Sequence, residues 1–411
     1  MPNAITGINE HLIDYLNESI RRASSIRFIV AFLMESGAKL LSKELAEAVQ
    51  RGVPVKILTG RYLNVTEPSA LYYLKDKLGD GVEIKFVKDN IRSFHPKAYL
   101  FDCEEDSEIY VGSSNISHTA LCSGVEWNCR LKKSLAPLDY QKFSDTFDYL
   151  YNEHAEPVTE QVLRQYALSW KKPAFVRAEV FSDEPEPVGA QVEALYELKK
   201  AREEGVSKGL VVTATGVGKT YLSAFDSVGF QRVLFVAHRE EILRQAEETF
   251  RAVRKEGNYG YYCGNRKDEA SDVMFATVQT LGNHLDKFRE ESFDYMVVDE
   301  FHHAAADSYA KILEHFRPKF LLGLTATPYR TDNRDIFVLC DDNVVYEIYL
   351  KDAINRGLLV PFRYYGVFDA TDYSGISVRN GQYVMDELEQ EMSRIERADM
   401  VLDKYRKIGW G

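Results

Sequence analysis

Apolar positions along the chain switch repeatedly between an unbroken run and a helical period. Residues 25–32 (Ser-Ile-Arg-Phe-Ile-Val-Ala-Phe) are nearly continuous and short, as a buried strand requires. Residues 39–50 place Leu40, Leu41, Leu45 and Val49 at helical spacing. A strand is expected at 53–58, a helix at 70–78 and a strand at 82–87. A further helix is expected at 159–170. The stretch 182–187 (Ser-Asp-Glu-Pro-Glu-Pro) is acidic and proline-rich, which marks a linker. A second run then begins, with a helix at 191–204 and a strand at 209–213. A strand at 233–237 and another at 293–298 follow. Strands alternating with helices on both sides of the linker argue for two layered α/β units. The expected division is 1–155, a connection at 156–188, a second unit at 189–340 and a trailing segment at 341–411.

Length agrees, since 411 residues exceed one ordinary core. A hydrophobic share of 45% with 28% charged residues is a globular balance. No apolar run reaches membrane-spanning length, so no membrane partner is expected. The first ten residues show no basic stretch leading into an apolar core, so no secretory signal is expected. Cys103, Cys122, Cys129, Cys263 and Cys340 are scattered, which suits a reducing cytoplasm and gives no zinc spacing. A net charge of −12 weakens a nucleic-acid reading without excluding it, because binding depends on local patches.

Chemistry enters after the 209–213 strand. Ala214-Thr215-Gly216-Val217-Gly218-Lys219-Thr220 leads into a helix, the arrangement of a phosphate-binding loop. Glycines let backbone N–H groups approach phosphate oxygens, and the helix N-terminus favours negative charge. Lys219 would neutralise the outer phosphates of ATP, and the Thr220 hydroxyl would hold Mg2+. Thr213 stands where the strict pattern has its first glycine. About eighty residues on, an apolar strand ends in Asp299-Glu300. Asp299 would complete the Mg2+ shell, and Glu300 would orient or deprotonate water.

Asp299-Glu300-Phe301-His302 resembles the DExH box of superfamily 2 helicases, and further pieces follow the family order. Gln191 resembles the glutamine that reads adenine, and His302 a residue that couples the nucleotide site to movement. Arg239, Thr277 and Gln279 resemble contacts to the tracked strand's backbone. Thr325 and Thr327 resemble the hydroxyl motif linking hydrolysis to strand movement. The resemblance implies a RecA-like parallel sheet, ATP and Mg2+ as cofactors, and a nucleic-acid partner, DNA before RNA. Residues 353–367 resemble the segment between the two motor lobes. A second lobe would supply transition-state arginines, from elsewhere in a longer protein or from a partner. The chain by itself is expected to bind ATP and hydrolyse it poorly.

The first unit carries its own pattern. His95 and Lys97 lie two apart, so a strand puts them on one face, and Asp102 follows. Then come Gly112-Ser113-Ser114-Asn115 and Glu126. A neutral imidazole can attack phosphorus and divide one displacement into two. Lys97, Ser113 and Asn115 can hold the phosphate oxygens, and no metal is needed. These residues resemble the HKD motif of the phospholipase D superfamily over roughly 19–131, with a hairpin at 104–107 taking up extra length. The resemblance implies an α/β sandwich, catalytic roles for His95, Lys97, Asp102, Ser113, Asn115 and Glu126, and two motifs per active site. One H-x-K occurs, so a homodimer through this unit is expected.

Three readings compete: a helicase-linked nuclease in defence or repair, an ATP-switched clamp with a non-catalytic dimerising domain, and a lipid phosphodiesterase. The motor and the lack of a lipid anchor argue against the third.

Overall fold

The computed structural model describes residues 3–61, 64–88, 94–173, 184–304, 306–328, 336–362, 373–379, 382–393, 399, 402–404 and 406. Residues up to Val360 form one compact unit, and 361–411 form another.

The N-terminal half runs β1 (Ala4–Ile5), α1 (Leu12–Arg22), β2 (Ala23–Val30), α2 (Glu35–Gln50), β3 (Val55–Thr59), α3 (Pro68–Leu78) and β4 (Val82–Val87). It continues with β5 (Lys97–Cys103), β6 (Glu108–Gly112), β7 (Asn128–Lys132), α4 (Pro137–Glu153), β8 (Ala155–Pro157) and α5 (Glu160–Ser169). Its eight strands order as β1-β7-β6-β5-β2-β3-β4-β8. Ile26, Phe28 and Val30 of β2 face a core shared with α1, α2, α3 and α5, while Ile29 faces the core under α4. The period of two thus builds a sheet covered on both faces. Strand β2 is parallel to β3 and antiparallel to β5, and Val30 sits opposite Lys97. The end of β2 and the start of β5 therefore share one edge of the sheet.

The second half runs α6 (Ala190–Glu203), β9 (Lys208–Thr213), α7 (Lys219–Asp226), β10 (Val233–Ala237), α8 (Glu240–Arg254), β11 (Tyr259–Cys263) and β12 (Arg266–Lys267). Then come β13 (Val273–Thr277), α9 (Val278–Gly282), β14 (Tyr295–Val298), α10 (Asp307–His315), β15 (Phe320–Thr325), β16 (Val344–Ile348) and α11 (Leu350–Asn355). The order is β12-β11-β13-β10-β14-β15-β9-β16, with all ladders parallel except β11 to β12. Both faces are buried, as near-continuous apolar strands require: Leu234 and Val236 face one core, Val233 and Phe235 the other. Ligands of such sheets gather at the carboxyl ends of the strands.

The expected elements are present, with ends displaced by a few residues. Two divisions differ from expectation. Strand β16 lies beyond residue 340 yet extends the second sheet beside β9. Helix α5, inside the expected connection, buries Leu163, Tyr166 and Ala167 in the first core. Helix α6 belongs to both halves: Val192 joins the first core, Ala194 and Leu198 a core of the second. The remaining 361–411 unit holds a two-stranded hairpin and a helix at Met385–Met392. The part of the inter-lobe segment at 363–367 lies outside the described residues. Among the described residues no helix is long and apolar enough to cross a membrane.

Candidate functional site: two phosphate centres

The first centre forms where β2, β5, β6 and β7 end at one sheet edge. His95 is exposed just before β5, with Lys97 half-buried at its first position. Lys97 Nζ stands 2.7 Å from His95 Nδ1 and donates to the His95 carbonyl at 3.0 Å. An ammonium can only donate, so Nδ1 accepts and the hydrogen of a neutral ring sits on Nε2. Burial lowers the Lys97 pKa, and Glu126 pulls it back up. The Phe32 ring lies edge-on to His95, with centroids 5.3 Å apart.

Register supplies the rest. Ala98 pairs with Val111, and Gly112 pairs with Asn128, which carries Ser113 and Glu126 toward Lys97. Ser113 Oγ donates to Glu126 Oε2 and accepts the Trp127 N–H at 3.0 Å. Asn115 Oδ1 accepts the Phe32 N–H at 3.0 Å, which fixes the amide beside the end of β2. A Cβ on Gly112 would lie 2.2 Å from the Trp127 carbonyl oxygen, so only glycine permits this approach.

Asp102 does not join the group. It stands at the far end of β5, about 17 Å along the strand from Lys97 at ~3.3 Å per residue. There it pairs with Arg27 at 3.1 Å and accepts the Tyr140 hydroxyl at 2.5 Å. The catalytic role expected for Asp102 is therefore corrected to anchoring α4 on the sheet. Five residues along a strand is too far for one site. The 104–107 hairpin does link β5 to β6, as expected.

The second centre sits on adjacent strands β9, β15 and β14. Gly216 and Gly218 take φ of +93° and +92°, the left-handed region that glycine reaches without steric cost. Val217 N–H closes the turn on the Ala214 carbonyl at 3.3 Å. Thr215 is exposed at the tip, and Thr220 is half-buried in the first turn of α7. Lys219 Nζ reaches the Thr213 carbonyl at 3.4 Å, a long contact that phosphate oxygens would displace. Asp299 is buried. Burial raises its pKa, Glu300 pushes the same way, and the Glu300 N–H and the Lys219 charge oppose. Glu300 holds φ of +49°, a strained backbone for a residue with a Cβ, and its N–H meets Asp299 Oδ1 at 2.9 Å. A desolvated carboxylate opposite a lysine on a glycine turn suits a nucleotide with its magnesium ion.

His302 Nδ1 lies 3.2 Å from both Thr325 Oγ1 and Glu300 Oε2. Thr325 is fully buried and accepts the Thr327 N–H at 3.2 Å, leaving Thr327 exposed. Gln191 donates to the carbonyls of Val217 and Gly218 at 3.3 and 3.4 Å and accepts the Val188 N–H at 3.2 Å. Arg239 and Gln279 are exposed beyond β10 and β13. The Thr277 hydroxyl is buried and spent on Thr280 Oγ1 at 2.9 Å, so only its backbone position can meet a strand.

Phe32 was missed from the sequence. It lies in an apolar run, where nothing local sets it apart.

The two centres fit a DExH-type motor lobe joined to a phospholipase D-like domain. Residues 184–330 match the family model described as "Type III restriction enzyme, res subunit", and residues 12–151 that described as "Cardiolipin synthase, PLD-like domain". The chain is thus similar to two families, one over each of these segments. IRC3 of Saccharomyces cerevisiae, whose name describes an ATP-dependent helicase, is 26% identical over 52% of this chain and 34% of its own length. The type I restriction enzyme EcoAI endonuclease subunit of Escherichia coli is 28% identical over 47% and 25%. The chain thus spans about a third or less of these two relatives. Among solved structures, the phospholipase D family member Nuc of Salmonella typhimurium is similar at 21% identity over 38% of this chain and 98% of that one, with a TM-score of 0.30.

Proposed function

We propose that the chain is an ATP-driven DNA helicase or translocase carrying a metal-independent nuclease in its N-terminal domain. The observation that carries this reading is the pair of phosphate centres in one compact unit, a lysine-held imidazole and a lysine-carboxylate nucleotide cradle. The relatives' names fit it: one is a helicase, another a restriction endonuclease subunit.

In the cleavage step, a scissile phosphate draws Lys97 from Nδ1 onto a phosphate oxygen. Nδ1 can then carry the ring hydrogen, and the Nε2 lone pair attacks phosphorus. An N–P bond forms and the P–O bond to the leaving strand breaks. The imidazolium of the same histidine in a second copy gives its proton to the leaving oxygen. Water then attacks phosphorus, the N–P bond breaks, and the proton returns to the second ring. The Asn115 amide N–H2 holds an equatorial oxygen as charge builds, and Ser113 joins it when its hydrogen turns from Glu126 to the phosphate. In the motor, Thr220 and Asp299 would hold Mg2+, which neutralises phosphate charge, and Glu300 would orient the attacking water. A second lobe would contribute the arginines that finish this site.

The need for two histidines supports a homodimer. Ile8, Val125 and Trp127 are 68%, 71% and 73% exposed, and the Gly7 turn packs directly on residues 124–126. This apolar patch borders Ser113 and Glu126, where a two-fold mate would bring its own His95.

The test is incubation of the chain with plasmid and single-stranded DNA in excess chelator. Cutting that disappears in His95→Ala is the expected result. Intact DNA with binding retained would replace the nuclease by an ATP-switched clamp.

A further inference from the structure

Between the two centres runs a short hydrogen-bonded junction that neither chemistry requires. Its middle is Glu35, the first residue of α2 and 9% exposed. Glu35 Oε2 accepts the Gly189 N–H at 2.8 Å. Lys39, one turn on, pairs with Glu35 at 3.0 Å and donates to the Pro187 carbonyl at 2.8 Å. The N-terminal domain thus clamps the turn that precedes α6, at both Pro187 and Gly189. Gly189 holds φ of +52°, so the turn has a set shape.

On one side this turn meets the nucleotide loop. Two residues after Gly189, Gln191 is held by the Val217 and Gly218 carbonyls and by the Val188 N–H. A nucleobase that takes the Gln191 amide must displace these partners. Val188 N–H then loses its acceptor, inside the turn that Glu35 and Lys39 grip. On the other side Glu35 adjoins the cleavage centre. Phe32, three residues before it, donates its N–H to Asn115, and the Met34 N–H donates to the Ile116 carbonyl at 2.9 Å. The start of α2 has no slack here: a Cβ on Gly37 would lie 2.4 Å from the Ile116 carbonyl carbon. Displacing Glu35 therefore displaces the loop that carries Asn115.

We propose that the Glu35–Gly189 junction couples nucleotide binding at Gln191 to the Asn115 loop of the cleavage centre. The coupling is carried by rigid contacts and by a turn with two hydrogen-bond sets, one for each partner of Gln191. It rests on the motor reading given above, and it is reciprocal: phosphate held at Asn115 changes nucleotide affinity by the same factor that nucleotide changes phosphate affinity.

The test uses the whole chain and a non-hydrolysable ATP analogue with Mg2+. Backbone hydrogen exchange over residues 112–117 is read with and without the analogue. Vanadate is then used as the phosphate probe in analogue titrations. The expected result is a change in exchange at 112–117, with vanadate shifting analogue affinity about fivefold or more, in the range usual for coupled sites. Glu35→Ala should bind the analogue and lose both effects. Glu35→Gln, which keeps an oxygen for the Gly189 N–H, should retain them and controls for misfolding. Failure of the analogue to bind would overturn the motor reading and the coupling together. Normal binding with unchanged exchange at 112–117, or coupling that survives Glu35→Ala, would overturn the coupling alone.

Discussion

Lys97 and Asp299 are the residues whose surroundings alter their charge most usefully. Burial lowers the Lys97 pKa, so its ammonium is lost at a lower pH than an ordinary lysine's. If that ammonium holds the phosphate, cleavage falls early on the alkaline side. Lys97→Arg should move that limb to higher pH while lowering the maximum rate, and a pH profile of kcat/KM checks it. Asp299 is the opposite case, with a carboxyl raised by burial. A raised folded pKa means the folded state holds the proton more tightly. The contribution of this one group to stability is therefore greatest at low pH and declines as pH rises from the ordinary carboxylate value through the raised one. Asp299→Asn keeps an oxygen for the Glu300 N–H and removes the desolvated charge. It should raise the melting temperature of the nucleotide-free chain near neutral pH by a few degrees, at roughly 2–4 °C per kcal/mol, while ending hydrolysis. Thermal unfolding together with an ATPase assay decides it. These residues were legible because both motifs are local: a loop, a strand end, a two-residue spacing. Asp102 misled because strict spacing hides direction. Its strand carries it away from Lys97 and gives it to Arg27.

Elements were legible wherever the hydrophobic period was clean, as in β4 and α2. Helix α6 was legible as a helix, and its two-sided burial was not. Its apolar residues point to two cores, and its charges look like an ordinary solvated face until the neighbours are in place. Glu193 is fully buried and pairs with Arg356 of the segment after α11, and Tyr346 of β16 donates to it at 2.9 Å. Glu197 binds Arg164 of α5 and the Tyr72 hydroxyl of α3. These long-range pairs leave no signature in sequence, and this is why the expected break at 340 cuts across the sheet. Glu193→Ala leaves the Arg356 guanidinium buried without its carboxylate and should cost about 3–5 kcal/mol. Pairing it with Arg356→Met should recover most of that loss, as urea unfolding of both variants would record.

For the whole molecule, the two-histidine chemistry predicts obligate cooperation between copies. Trp127→Glu should shift sedimentation toward monomer and abolish cutting while nucleotide binding persists. Mixed dimers of wild type and His95→Ala should be inactive, so activity in mixtures should fall as the square of the wild-type fraction. Domain identity was legible from the motifs, and their mutual attachment was not, since α5 and 184–188 read as spacer.

Sharing α6 between two cores has a mechanical meaning. A tether would let the cutting centre wander over the DNA while the engine moves. Here the residues proposed to grip the strand, beyond β10 and β13, and the proposed cutting centre at His95 lie in one compact unit, joined through the cores that share α6. Incisions should fall at a constant offset from the gripped nucleotides, like teeth fixed to the frame of a saw, whatever sequence passes beneath.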